Sequence, residues 1–281
     1  MTTETTRLWD RLRGIIRSRI GGWRIGRDVF VHGRGLLGEL LGEVSYVQLL
    51  MLNITGRLPE RRLAEWVEGS FMCLSWPDAR VWCNQIATYA GTLRTTPVAA
   101  VSAGLLASES RLYGPGTSLT STAFIVEALR DHQTGTPPAA ILDGFRRRRK
   151  TRAIPDYGRP VAKGDERVVA MKRLAQRLGF ATGPHLELAN ALEAALLRES
   201  GEAMNLAGYI TAFLAVQGYR AEEIHALDSI CVEGGLLACY REAATAPADT
   251  FMPMRVDDVR YAGPPPRPWN DTTTRGNGTP E

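Results

Sequence analysis

From residue 44 onward the apolar positions recur at three- and four-residue intervals, which predicts amphipathic helices almost throughout. "EVSYVQLLMLNITGRLP" offers Ser45 as N-cap, Gly56 as a stop and Pro59 beyond it. "PERRLAEWVEGSFMCL" repeats the pattern, and "TSTAFIVEALRDHQTG" is amphipathic up to Gly135. "VWCNQIATYAGT" and "PVAAVSAGLLASES" are rich in small residues, which suits close helix packing. "GDERVVAMKRLAQRLG" has Asp165 as N-cap and Gly179 as the C-terminal stop. "PHLELANALEAALLRES", "NLAGYITAFLAVQG" and "AEEIHALDSICVEGGLLACYREA" complete a set of about ten helices. Strand signal is confined to "GWRIGRDVFVHGRG", read as a short hairpin or extended arm. The fold class is all-α, with no internal repeat. The Pro-, Gly- and Thr-rich tail 263–281 is expected to be disordered.

Composition narrows the class. The chain has 281 residues, 44% of them hydrophobic and 23% charged, enough for one large core or a core plus a small subdomain. No apolar run approaches the ~18 residues of a membrane span, and the N-terminus has no apolar signal region. Cys73, Cys83, Cys231 and Cys239 form no C-x-x-C pair, and the four histidines lack metal-ligand spacing. A reduced cytoplasm without a metal cofactor or membrane is expected. The net charge of +4 is concentrated in "FRRRRKTR", residues 145–152. That run reads as a solvated helix end or as a phosphate-binding patch. A nucleic-acid surface would interleave aromatics or spread the charge over a face, and this run does neither, so no nucleic-acid partner is expected.

The stretch "RAIPDYGRPVAKGDER" reads as a ligand-binding loop feeding a helix. Together with four other segments in a fixed order it resembles the citrate synthase superfamily, in particular its short members akin to the citryl-CoA lyase module. The first segment is "GRDVFVHGRGLLGELLGEVSYVQLLMLNITGRLP", and "RLYGPG" follows it. "AIPDYGRPVAKGDER" is similar to the family's "IPGFGHPV…DPR", and "AMNLAGYITAFL" and "GGLLACYREA" close the series. The likeness runs from about residue 22 to about 261. It implies a citrate synthase-like all-α fold. On that fold 1–21 is an N-terminal helix or arm, 22–140 with 246–262 a large helical domain, and 141–245 a small CoA-binding domain. It also implies carbon–carbon bond chemistry on an acyl-CoA, and a homodimer. The loop Ile154, Pro155, Asp156, Tyr157 and Gly158 would wrap the adenine with main-chain groups. Arg149, Lys150, Arg152 and Lys163 would face the CoA phosphates.

The chemistry of the family uses two histidines and an aspartate, and all three positions differ here. Tyr113 of "YGPG" falls where the first histidine stands, Arg159 on the second, and Leu206 of "NLAG" is read at the aspartate. Val232 falls on an arginine that grips a carboxylate, and only Arg167 of "DER" is retained. Leu206 cannot accept a proton. Arg159 stays charged and cannot act as an acid near neutrality, but it can bind an anion. Tyr113 can donate to a carbonyl, or it is a capped core aromatic. Two functions remain. One is an enzyme with Tyr113, Arg159 and Arg167 as its catalytic groups, acting on an acyl-CoA thioester or a related carboxylate. The other is an inactive pseudoenzyme or regulatory subunit, in a hetero-oligomer with an active paralogue.

Overall fold

A computed structural model of the protein describes residues 4–14, 17–110, 113–159, 162–247, 256–258, 260–265 and 267. The expected tail 263–281 lies outside them except at 263–265 and 267. After α1 (Glu4–Leu12) comes a sheet of three antiparallel strands, β1 (Gly21–Arg24), β2 (Asp28–Val31) and β3 (Arg34–Gly35), in that order. Trp23 pairs with Val29 and Phe30 with Gly35, so the expected hairpin gains a third strand. His32 and Gly33, both at positive φ, make the second turn possible.

The helices are α2 (Tyr46–Thr55), α3 (Arg61–Leu74), α4 (Trp82–Thr92), α5 (Pro97–Ser108), α6 (Thr117–Gln133) and α7 (Pro138–Arg149). They continue with α8 (Glu166–Arg177), α9 (Pro184–Glu199), α10 (Leu206–Val216), α11 (Ala221–Asp228) and α12 (Glu233–Thr245). The caps explain several boundaries. Ser45 and Gln48 form a reciprocal capping box on α2, and Gly56 ends that helix in the left-handed region. Asp165 caps α8 as expected.

The basic run ends a helix, as one of its readings had it: Arg146 to Arg149 form the last turn of α7, where the C-terminal dipole favours cations, and Lys150 ends the helix at φ 51. One expectation needs correction: the stretch 221–245 is two helices rather than one. Gly234 and Gly235 approach Ser75 and the Trp76 carbonyl so closely that a Cβ on Gly235 would lie 2.7 Å from that oxygen, and the chain turns at 229–232 to allow this.

Two apolar cores result. The larger draws on α2, α3 and α6 to α11, with Trp66 stacked on Phe213 at 3.7 Å. The smaller joins α4, α5 and α12 through Cys83, Ala87 and Leu236. The small residues of α4 and α5 are used within the chain. A Cβ on Gly91 would lie 2.6 Å from Tyr240 O, and one on Gly104 2.5 Å from Leu236 Cδ2. The opposite faces leave Trp82, Ile86, Tyr89, Leu93, Val98 and Leu106 exposed. Among the described residues no helix is long and apolar enough to cross a membrane.

Candidate functional site

The loop between α7 and α8 is fixed by its own backbone and by Asn205. Gly158, at φ 89, donates its N–H to Ala203 O (2.8 Å), and its carbonyl accepts from Asn205 Nδ2 (3.1 Å). Asp156, at φ 66, accepts Asn205 N–H (3.0 Å), while Asn205 Oδ1 caps α10 at Gly208 N–H. One asparagine thus ties the loop to the start of α10. Ile154 is buried in the core, and the Tyr157 hydroxyl donates to Ala189 O (2.9 Å). The side chains of Ile154 and Tyr157 are therefore structural. Arg149, Lys150, Arg152 and Lys163 are exposed, without an ion pair among the described residues. Their neighbours Arg146 and Arg148 are paired, with Glu199 (2.6 Å) and Glu127 (3.0 Å).

Arg159 and Arg167 are brought together by two acids between them. The fully buried Asp165 carboxylate accepts both Arg167 Nε (2.8 Å) and an Arg167 terminal nitrogen (2.6 Å), and also Leu206 N–H (2.9 Å). Arg159 binds Glu166 (2.6 Å) and stands 3.8 Å from Asp165. Burial alone would raise the Asp165 carboxyl. The Arg167 bonds and charge, with the backbone N–H groups, outweigh it and hold the pKa below the ordinary range. The Arg167 guanidinium lies over the Trp76 ring at 5.0 Å. Two cations and two carboxylates leave this cluster without net charge, so neither arginine is a free anion clamp. Tyr113 stands apart from it, half-exposed against Trp82, with ring centroids 5.8 Å apart.

One sequence reading is wrong by a residue. Matching Asn205-Leu206-Ala207-Gly208 to Asn-Val-Asp-Gly position by position puts Ala207, not Leu206, in the place of the aspartate. Ala207 equally cannot accept a proton, and Leu206 is a core residue whose N–H serves Asp165.

A cavity of about 200 Å³ opens between α2, α3 and the α11–α12 junction, lined by Tyr46, Leu50, Phe71, Ser75, Cys231 and Glu233. Val232, expected in place of a carboxylate-binding arginine, sits between two of these residues. Behind the loop, a void of about 10 Å³ is lined by Asp156, Ser121, Gly208 and Thr211. Burial pushes the Asp156 carboxyl up to about 6, partly offset by the Ser121 and Thr211 hydroxyls. Burial, with the Asp156 charge, pushes Asp228 up to about 7. Sequence patterns missed this pair, and they missed His225 bonded to Glu109, because the partners lie far apart along the chain. Among the described residues no group of three or more His, Cys, Asp or Glu side chains could hold a metal ion.

No protein-family model and no curated protein sequence matches the chain. Solved structures do. Citryl-CoA lyase from Hydrogenobacter thermophilus superposes with a TM-score of 0.77 at 23% identity, over 91% of this chain and 98% of that one. A variant ATP citrate lyase from Methanosaeta concilii, in complex with (3S)-citryl-CoA, gives 0.75 at 17% identity over 94% of this chain. Citrate synthase from Thermotoga maritima gives 0.62 at 18% over 83%. The chain therefore has the all-α fold of the citrate synthase superfamily. It spans nearly all of the citryl-CoA lyase but only 45% of the ATP citrate lyase and 62% of the citrate synthase.

Proposed function

We propose that the protein binds a CoA thioester and carries out citrate synthase- or citryl-CoA lyase-like carbon–carbon chemistry with a non-standard active site. The observation that carries this reading is the loop 152–159. Its glycine turn is held open on α10, and unpaired Arg149, Lys150 and Arg152 stand beside it, on a fold that matches a citryl-CoA lyase end to end. Lys163 adds a further cation, and 141–245 is the proposed CoA-binding unit. The reacting group differs from a dicarboxylate. Arg159 and Arg167 are neutralised by Glu166 and Asp165, and the neighbouring cavity is mostly apolar, with Val47, Leu50 and Phe71 beside Glu233 in its wall, which suits a neutral acyl group. Tyr113 would polarise the thioester carbonyl.

Mass spectrometry of ligands retained on the purified protein, with calorimetry against CoA, tests the reading. Retained CoA thioesters and saturable CoA binding are expected, and thiol release from acetyl-CoA plus oxaloacetate should be undetectable. An electrostatic stabiliser is worth about 10²–10³ in rate and an acid–base group about 10²–10⁴. The same neutralised arginines favour a second reading, a pseudoenzyme or regulatory partner of an active paralogue, and absence of CoA binding selects it. The exposed stripe Trp82, Ile86, Tyr89, Leu93, Val98 and Leu106 supports a homodimer. The four free cysteines support a cytoplasmic location.

A further inference from the structure

Outside the positions so far considered, one histidine is set against a carboxylate. His225 Nε2, on α11, lies 3.1 and 3.2 Å from the two carboxylate oxygens of Glu109, at the end of α5. Both side chains are accessible, at 28% and 49%. Nε2–H donating to both oxygens fixes the ring and leaves the lone pair on Nδ1, which has no hydrogen-bond partner among the described residues. The loop is shaped for the contact. A Cβ on Gly116 would sit 2.8 Å from Glu109 Oε1 and 2.8 Å from Ser110 O, so the chain there must be glycine for Glu109 to lie where it does.

The surroundings also favour chemistry at this place. Trp82 Nε1 donates to Ala107 O (2.8 Å), two residues before Glu109, and the Trp82 ring meets Tyr113 on the same loop. The segment after α11 is anchored where Arg167 lies over Trp76, because Ser75 Oγ donates to Cys231 O (3.0 Å) and Gly235 packs on Trp76 O. The loop that carries Glu109 and Tyr113 is thus held on the start of α4, and the segment that follows His225 on α11 is held beside Trp76.

We infer that His225, oriented by Glu109, is the general base of this protein and removes an α-proton from an acyl-CoA thioester. The inference rests on the CoA-thioester reading above. Nδ1 takes the proton. The C–H electron pair becomes the carbon–carbon double bond of the enolate, and the carbonyl pair moves onto the thioester oxygen, toward which Tyr113 can donate. The imidazolium is neutralised by the Glu109 carboxylate. Return of a solvent proton to carbon from Nδ1 closes the cycle, so in heavy water the net change is replacement of hydrogen by deuterium, with no co-reactant.

Proton NMR of acetyl-CoA in heavy water reads this directly, beside calorimetric CoA affinity. The parent should exchange the acetyl protons. His225→Ala and Glu109→Gln should slow exchange by about 10²-fold or more and by about 10-fold or more respectively, with CoA affinity unchanged. Added imidazole should partly restore His225→Ala, which a merely structural histidine would not allow. Where His225→Ala fails to fold by circular dichroism, Glu109→Gln carries the test. Exchange in the parent that neither variant slows overturns the assignment, as does CoA binding by the parent without any exchange. A parent that binds no CoA overturns the CoA reading and this one together.

Discussion

Asp156→Asn isolates a cost that the fold carries at neutral pH. Asp156 and Asp228 are buried carboxyls with no ion pair among the described residues, and their pKa values are pushed from 3.8 to about 6 and about 7. The unfolded chain releases these protons at lower pH than the folded chain does. The stability this lends is complete below the unfolded value and is lost as pH rises through 6 to 7. For Asp156 the whole shift corresponds to about 3 kcal/mol, of which about 1.5 kcal/mol is lost between pH 5 and pH 8. Asparagine keeps the shape, cannot ionise and tolerates the left-handed backbone at this position (φ 66). Urea denaturation followed by circular dichroism at pH 5 and pH 8 should therefore show the variant gaining up to about 1.5 kcal/mol on the parent across that interval. Asp228→Asn should behave alike, and the double variant should gain less than the sum, because each charge raises the cost of the other. Parent and variant curves that run parallel from pH 5 to pH 8 would refute the reasoning.

Arg152→Ala should weaken CoA binding about tenfold, with the loss shrinking in high salt, because an exposed charge-assisted contact is screened; calorimetry at two ionic strengths checks it. Asp165→Ala strands Arg167 and the Leu206 N–H and should cost about 3 kcal/mol in urea denaturation. Glu166→Ala, which removes only an exposed partner of Arg159, should cost less than about 1 kcal/mol. Leu106→Glu, at one end of the exposed stripe of α4 and α5, should convert a dimer to a monomer in sedimentation; a parent already monomeric at micromolar concentration removes the dimer proposal.

The helices were legible where local chemistry sets them. Ser45 with Gln48, Gly56 and Asp165 are caps that act within one turn, so a reader of the chain can place them. The break between α11 and α12 was not legible, because its cause is a carbonyl of Trp76, far away in sequence, against Gly235. The site divides along the same line. The resemblance singled out Arg159 and Arg167 as site cations but could not say whether a ligand or a neighbour neutralises them. Asp165 decides it: as N-cap of α8 its carboxylate must face the first turn, where Arg167 stands two residues on and Leu206 N–H arrives from α10. A capping residue thereby becomes the counter-ion of the expected catalytic arginine. The groups left with unmet protonation chemistry, His225 with Glu109 and Asp156 with Asp228, are joined only by the tertiary fold, the first across 116 residues. On the proposed reading, in which Tyr113, Arg159 and Ala207 stand where the resemblance puts acid and base, the chemistry falls to such pairs, since proton transfer needs a group that can change its charge and an arginine does not.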